Sequence, residues 1–150
     1  MAGVKVSVPS GEVSLSAGVA KTVLSLKAAA NHRALVKSIK VFFKGIVTTD
    51  TPVKIRLVRI TTDSGTGSAI TEVKVNEADN ETIQSVGRHT FTVEPTIGDV
   101  LETWEIHPQT GLVVFYPPDD ELVIIGGNEV ALEMTAAQAQ TVSANLTIEE

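Results

Sequence analysis

The chain has 150 residues, 43% of them apolar, with 12 Lys and Arg against 18 Asp and Glu and a net charge of −6. That length suits a single domain with enough apolar material for one core, and the charge offers no overall attraction to nucleic acid or anionic membrane. Cys is absent, which excludes disulfides and thiolate metal sites.

With 21 Val, 17 Thr and 11 Ile, β-branched side chains dominate. They favour a pleated, half-buried surface over a helix, so residues 1–150 are expected to form one all-β domain. Many short strands separated by turns imply an antiparallel β-sandwich, jelly-roll-like. At the N-terminus, Val4, Val6 and Val8 alternate with Lys5 and Ser7 before Pro9. Residues 1–9 therefore read either as a first strand or as an arm that adds to another sheet edge. No continuous apolar run of a signal peptide and no stretch near the roughly 18 apolar residues of a membrane span occurs, so a soluble protein without an export signal is expected.

Strands follow over Glu12–Ser16, Lys21–Lys27, Leu35–Lys44, Val53–Thr61, Ile70–Val75, His89–Val93, Val100–His107, Leu112–Tyr116 and Leu122–Ile125. A helix over Leu24–Ile39, built on Ala28-Ala29-Ala30, competes with the second and third. β-branched flanks and Asn31 favour strand, loop, strand. Ser64-Gly65-Thr66-Gly67 and Pro117-Pro118-Asp119-Asp120 read as turns, His107-Pro108-Gln109-Thr110-Gly111 as a hairpin loop, and Gly126-Gly127-Asn128 as a tight reversal. Two alternating strands close the chain. Val130, Leu132 and Met134 oppose Glu129, Ala131, Glu133 and Thr135, and Val142, Ala144, Leu146 and Ile148 oppose Thr141, Ser143, Asn145, Thr147 and Glu149.

The net charge hides a division. Up to Arg59 there are ten basic residues and two acids, +8; from Ile60 there are two basic residues and sixteen acids, −14. If Gly45–Pro52 is a hairpin loop, Phe43, Val41 and Ile39 face Val53, Ile55 and Leu57 on one side. On the other, Phe42 meets Lys54 and Lys40 meets Arg56, with Lys44 near the turn, and Lys37 meets Arg59 at the far end of the apolar side. Like charges placed opposite one another are stabilised by something anionic across them. Lys40, Lys44, Lys54 and Arg56, with Val4, Val6 and Val8 of the possible arm, are therefore the candidate protein-interaction residues. The plainer alternative is a solvated face covered by lysine and arginine stems. Six aromatic residues are too few for a base-stacking nucleic-acid platform.

Catalytic constellations are not legible. His32, His89 and His107 lack metal-ligand spacing, and His107 reads as a turn residue. Asp119-Asp120-Glu121 lacks the interleaved glycine of a calcium loop, and Gly65-Thr66-Gly67 lacks the remainder of a phosphate or dinucleotide fingerprint. Asp99, Glu102 and Glu105 do not offer a glycosidase pair, because alternation puts Glu102 and Glu105 on opposite faces. The expectation is a protein that is not an enzyme, with no cofactor and no metal. Trp104 and Tyr116 could serve a sugar, but Trp104 shares a face with Val100 and Ile106 and reads as core.

Gly98-Asp99-Val100-Leu101-Glu102, then Glu105-Ile106-His107-Pro108-Gln109-Thr110-Gly111-Leu112, Gly126-Gly127, the Thr/Ala-rich last strand ending Glu149-Glu150 and the Thr61–Thr66 threonine-rich loop resemble small β-rich virion proteins of tailed bacteriophages. The likeness is to head decoration, or cement, proteins in particular, and covers roughly Val53–Glu150. The resemblance implies a jelly-roll-like domain that forms homo-oligomers, often trimers, and ties neighbouring major capsid subunits together on the virion after assembly in the host cytoplasm. It carries no catalytic residues. Within the same class stand tail and head-completion proteins, whose partner is another virion protein; from a different class stands a carbohydrate-binding β-sandwich with a glycan ligand.

Overall fold

Period-two alternation turns the apolar-rich stretches into twelve strands: β1 (Lys5–Leu15), β2 (Lys21–Lys27), β3 (Ala34–Lys44), β4 (Val53–Thr62), β5 (Thr66–Ala69), β6 (Val73–Lys74), β7 (Val86–Val93), β8 (Thr96–Ile106), β9 (Leu112–Phe115), β10 (Leu122–Ile124), β11 (Glu129–Thr135) and β12 (Gln140–Glu149). The computed structural model describes residues 3–45, 50–62 and 65–150. Residues 46–49 of the Gly45–Pro52 connection and 63–64 of the threonine-rich loop lie outside the described residues. Among the described residues there is no helix, and Leu24–Ile39 is β2, a turn at 30–31 and β3.

Two antiparallel sheets result. Sheet I runs β10-β3-β12-β1-β6 with β9 also on β3; sheet II runs β5-β7-β2-β11-β4-β8. The pairs nest: β1 with β12, β2 with β11, β3 with β9 and β10, β4 with β8. A long antiparallel ribbon paired in this way and then rolled up is a jelly roll. The excursion β5 to β7 between β4 and β8 widens it, β6 adding beside β1 and β7 with β5 beside β2.

Among the described strands none pairs with the strand that follows it. This corrects the expected hairpin of β3 with β4. They lie in different sheets, so Ile39 and Val41 share the core with Val53, Ile55 and Leu57 but enter it from the opposite sheet rather than side by side. Apolar alternation points a strand's face inward in either arrangement; it does not say whether the next strand is lateral or opposite. His107–Gly111 and Gly126–Asn128 likewise carry the chain from one sheet to the other. The Thr66–Gly67 pair, expected in a turn, instead opens strand β5.

The core lies between the sheets, and Leu24, Leu26, Ile39, Ile55, Leu132 and Leu146 are fully enclosed in it. Each such side chain contributes about 1.5–3 kcal/mol relative to exposure. Val4, Val6 and Val8 are 2%, 0% and 0% exposed within this core, and β1 pairs with β12 from Lys5 onward. The N-terminal segment is thus the first strand of the domain and not an arm. A bulge between Pro9 and Glu12 keeps Val8 and Val13 both facing inward, with Gly11 at φ +65°. Ser10 fills the gap in the ladder there, its Oγ accepting from the Ala144 N–H at 2.9 Å.

Sheet II is also covered on its outer side. Glu129 and Glu133, which alternation would leave in solvent, are only 3% and 8% exposed. The ladder of β7 with β2 ends at His89, and Thr90 follows at φ +48°. Beyond it the Glu94 carboxylate takes over the Thr22 N–H at 2.8 Å, while Thr96 already lies beside Thr62 of β4. The segment 90–95 therefore crosses the outside of β11, laying Phe91, buried apart from the main core, over that face. Beneath it Glu129 accepts from Arg88 Nη2 at 2.8 Å, and Glu133 accepts from Arg56 Nε at 2.9 Å and also from its Nη2.

Candidate interaction surface

The expected basic stripe is divided by the jelly roll. Lys40 and Lys44 stand on the outer face of sheet I, whereas Lys54 and Arg56 stand on the outer face of sheet II. Arg56 is committed to Glu133, and Lys54 is the lateral neighbour of Glu105 on β8 and Thr135 on β11. Lys37 does not meet Arg59, which belongs to the other sheet. Part of the +8 and −14 division is neutralised inside the molecule, since Lys21, Lys37 and Arg56 from the first part pair with Glu94, Glu121 with Glu149, and Glu133 from the second.

The outer face of sheet I has a definite relief. Its register sets Phe115, Ser38, Thr147, Ser7 and Val73 in one row across β9, β3, β12, β1 and β6. The next row is Val113, Lys40, Asn145 and Pro9, and the next holds Phe42, Ser143 and Glu12. Each of the first two rows has large side chains at the margins and short polar ones over β12. Two shallow troughs of about 430 and 390 Å³ result, and they join at Lys40 and Thr147. Asn145 Nδ2 donates to Ser7 Oγ at 2.9 Å and fixes the floor.

The walls are exposed apolar groups: Phe115 at 68%, Phe42 at 50% and Val113 at 48% on one side, Val73 at 53% and Val75 at 58% on the other. Large exposed apolar side chains gathered on one face, here on either side of a polar floor, mark an interaction surface. Sequence reading missed Phe115, Val113 and Val73 because strand alternation identifies two faces without saying which strands are neighbours. The available signal was that Val113 and Phe115 share one face of a short strand.

The charged groups of this face fall into two kinds. Lys37 Nζ bridges Glu121 Oε1 at 2.7 Å and Glu149 Oε2 at 2.9 Å. Hydrogen bonds to these two carboxylates hold the Lys37 pKa above its ordinary value, and the Lys37 ammonium holds both glutamates below theirs. Lys44 pairs with Glu12 at 2.7 Å. Lys40 is half-buried and lies over the Phe115 ring, 5.9 Å from its centroid; among the described residues no carboxylate pairs with it.

Trp104 and Tyr116 do not form a platform on this face. Trp104 is half-buried against the core on β8, as expected, but a bulge between Leu57 and Val58 turns Val100 outward to 44% exposure. Tyr116 donates its hydroxyl to Glu102 at 3.2 Å, and burial, with Glu102 adding to it, pushes its pKa up to about 12. His107 is a turn residue, accepting at its carbonyl from the Thr110 N–H at 3.0 Å. Among the described residues no three His, Asp or Glu side chains gather as a metal site. Compared with known families and with curated proteins, the chain matches no family model and no curated sequence.

Proposed function

We propose that the protein is a structural, docking component of a tailed-phage virion, a decoration protein that bridges major capsid subunits. The observation that carries this reading is the outer face of sheet I, an exposed relief of Phe42, Val113, Phe115, Val73 and Val75 around a short-chain floor. A face of this kind loses unfavourable contact with water when another protein covers it. The jelly-roll frame and the resemblance of roughly Val53–Glu150 to decoration proteins support this class of partner. Many copies bound to a repeating shell turn a modest single contact into firm attachment. In this reading the protein self-associates, with a trimer favoured.

The test is sedimentation with purified capsid shells, together with a solution mass of the free protein. Stoichiometric binding to shells, lost in the Phe115→Ser/Val113→Ser variant with its circular dichroism unchanged, is expected. Shells that bind neither form, or bind both equally, would remove this reading.

A further inference from the structure

The outer face of sheet I carries four lysines, and three have carboxylates beside them. Lys37 is held by Glu121 and Glu149, Lys44 by Glu12, and Lys5 lies within electrostatic reach of Glu149. Lys40 alone stands at the junction of the two troughs, with Val113 on one flank and Asn145 on the other. Its ammonium lies over the ring of the largely exposed Phe115. A carboxylate arriving there would meet a cation in partly apolar surroundings, where an ion pair is stronger than on an open surface.

The floor sets the shape of the visitor. From Ser143 to Thr147 the trough follows β12 for about 14 Å, the span of four to five residues of extended chain. Such a chain puts every second side chain on the same side, so with one residue over Lys40 the residues two positions before and after it lie against the Phe42 and Phe115 walls. A second copy of the same face does not meet the charge requirement. Its carboxylates, Glu12, Glu121 and Glu149, sit at the margins and are engaged with Lys44 and Lys37, and its centre offers Ser143, Asn145 and Thr147. Two such faces laid together would bury Lys40 against amide and hydroxyl groups, an unfavourable place for an unpaired charge.

We propose that the outer face of sheet I binds an extended acidic segment of a partner protein, one Asp or Glu carboxylate seating on Lys40 and flanking apolar side chains covering Phe42, Val113 and Phe115. This rests on the docking reading above and names the chemistry of what docks. The test is an amide NMR titration of the isotope-labelled protein with the capped peptide Val-Ser-Asp-Ser-Val, whose Val and Asp share one face when extended, and with its Val-Ser-Lys-Ser-Val counterpart. Saturable shifts over Lys40–Phe42, Val113–Phe115 and Ser143–Thr147 are expected with the acidic peptide. Affinity should fall about tenfold in Lys40→Gln and be kept in Lys40→Arg, with little binding of the basic peptide.

Equal response to both peptides, no response to either, or an undiminished affinity in Lys40→Gln overturns the proposal. So does a concentration-dependent dimer whose formation shields the same amides, which would make the occupant a second copy. Shell sedimentation separates the two levels: binding sensitive to Phe115→Ser but indifferent to Lys40→Gln leaves docking standing and removes the acidic segment. Peptide binding as expected without any shell binding does the reverse.

Discussion

Replacing Arg88 by Met should cost about 3–5 kcal/mol, because it strands a carboxylate that the fold has enclosed. Glu129 is 3% exposed and accepts from Arg88 Nη2 at 2.8 Å, while its Oε2 has no hydrogen-bond partner. The same guanidinium donates to the Gly65 carbonyl at 3.1 Å and lies 5.2 Å from the Phe91 ring centroid, so it also ties the crossing segment to sheet II. A domain of this size has roughly 5–15 kcal/mol of stability in total, and a urea slope near 2 kcal/mol/M turns the loss into a midpoint about 1.5–2.5 M lower. Urea titration followed by the fluorescence of Trp104, the lone tryptophan, reads this directly. Arg88→Met with Glu129→Leu removes both charges and should return to within about 1 kcal/mol of the wild type. A single variant that loses less than about 1 kcal/mol, or a double variant no more stable than the single, would refute the argument.

Further outcomes are open to measurement. Gly87→Ala should destabilise by about 1–3 kcal/mol in a thermal melt, since its Cβ would stand 2.6 Å from Val8 Cγ1 and 3.2 Å from Ile70 Cδ1. The Lys37 cluster sets an acid limb. The pKa values of Glu121 and Glu149 are lowered by folding, so their stabilisation is present above the ordinary carboxylate range and lost as pH falls through the lowered values. Lys37→Gln should flatten that limb in urea midpoints taken across mildly acidic pH. The raised Lys37 contributes oppositely, fully below 10.5 and fading as pH climbs through its higher folded value. Phenolate absorbance should place the Tyr116 titration near 12, and Glu102→Gln should bring it down only part of the way, burial being the larger cause.

Most of the strands were legible, although the expected strand Ile70–Val75 is only β6, Val73–Lys74. Lys21–Lys27 is β2 to the residue, and β3, β4, β9 and β10 begin or end within one residue of the alternation limits. Their neighbours were not. A Pro or Gly connection such as His107–Gly111 has the chemistry of a hairpin loop whether it joins adjacent strands or arches over the core, and only long-range pairing decides. Strand β5 was hidden because its glycine looks like a turn; Gly67 lies against the Phe91 ring, where a Cβ would come within 3.2 Å. Glu129 and Glu133 read as solvent-facing because their covering, residues 90–95, lies some forty positions away. As for the surface, Lys40 and Lys44 were correctly placed on an outward face, but their association with Lys54 and Arg56 depended on a pairing the fold does not make.

Strand β12 sits between β1 and β3, joined to both along most of its length. On a ribosome β1 and β3 emerge long before it, and even with β6 beside β1 and with β9 and β10 beside β3 each keeps one open edge. The middle of sheet I cannot close until β12 follows, so the domain cannot be built up strand by strand as it is made. Until then the nascent chain carries the unpaired, aggregation-prone edges of β1 and β3, which makes its yield depend on chaperone supply and synthesis rate more than its final stability would suggest.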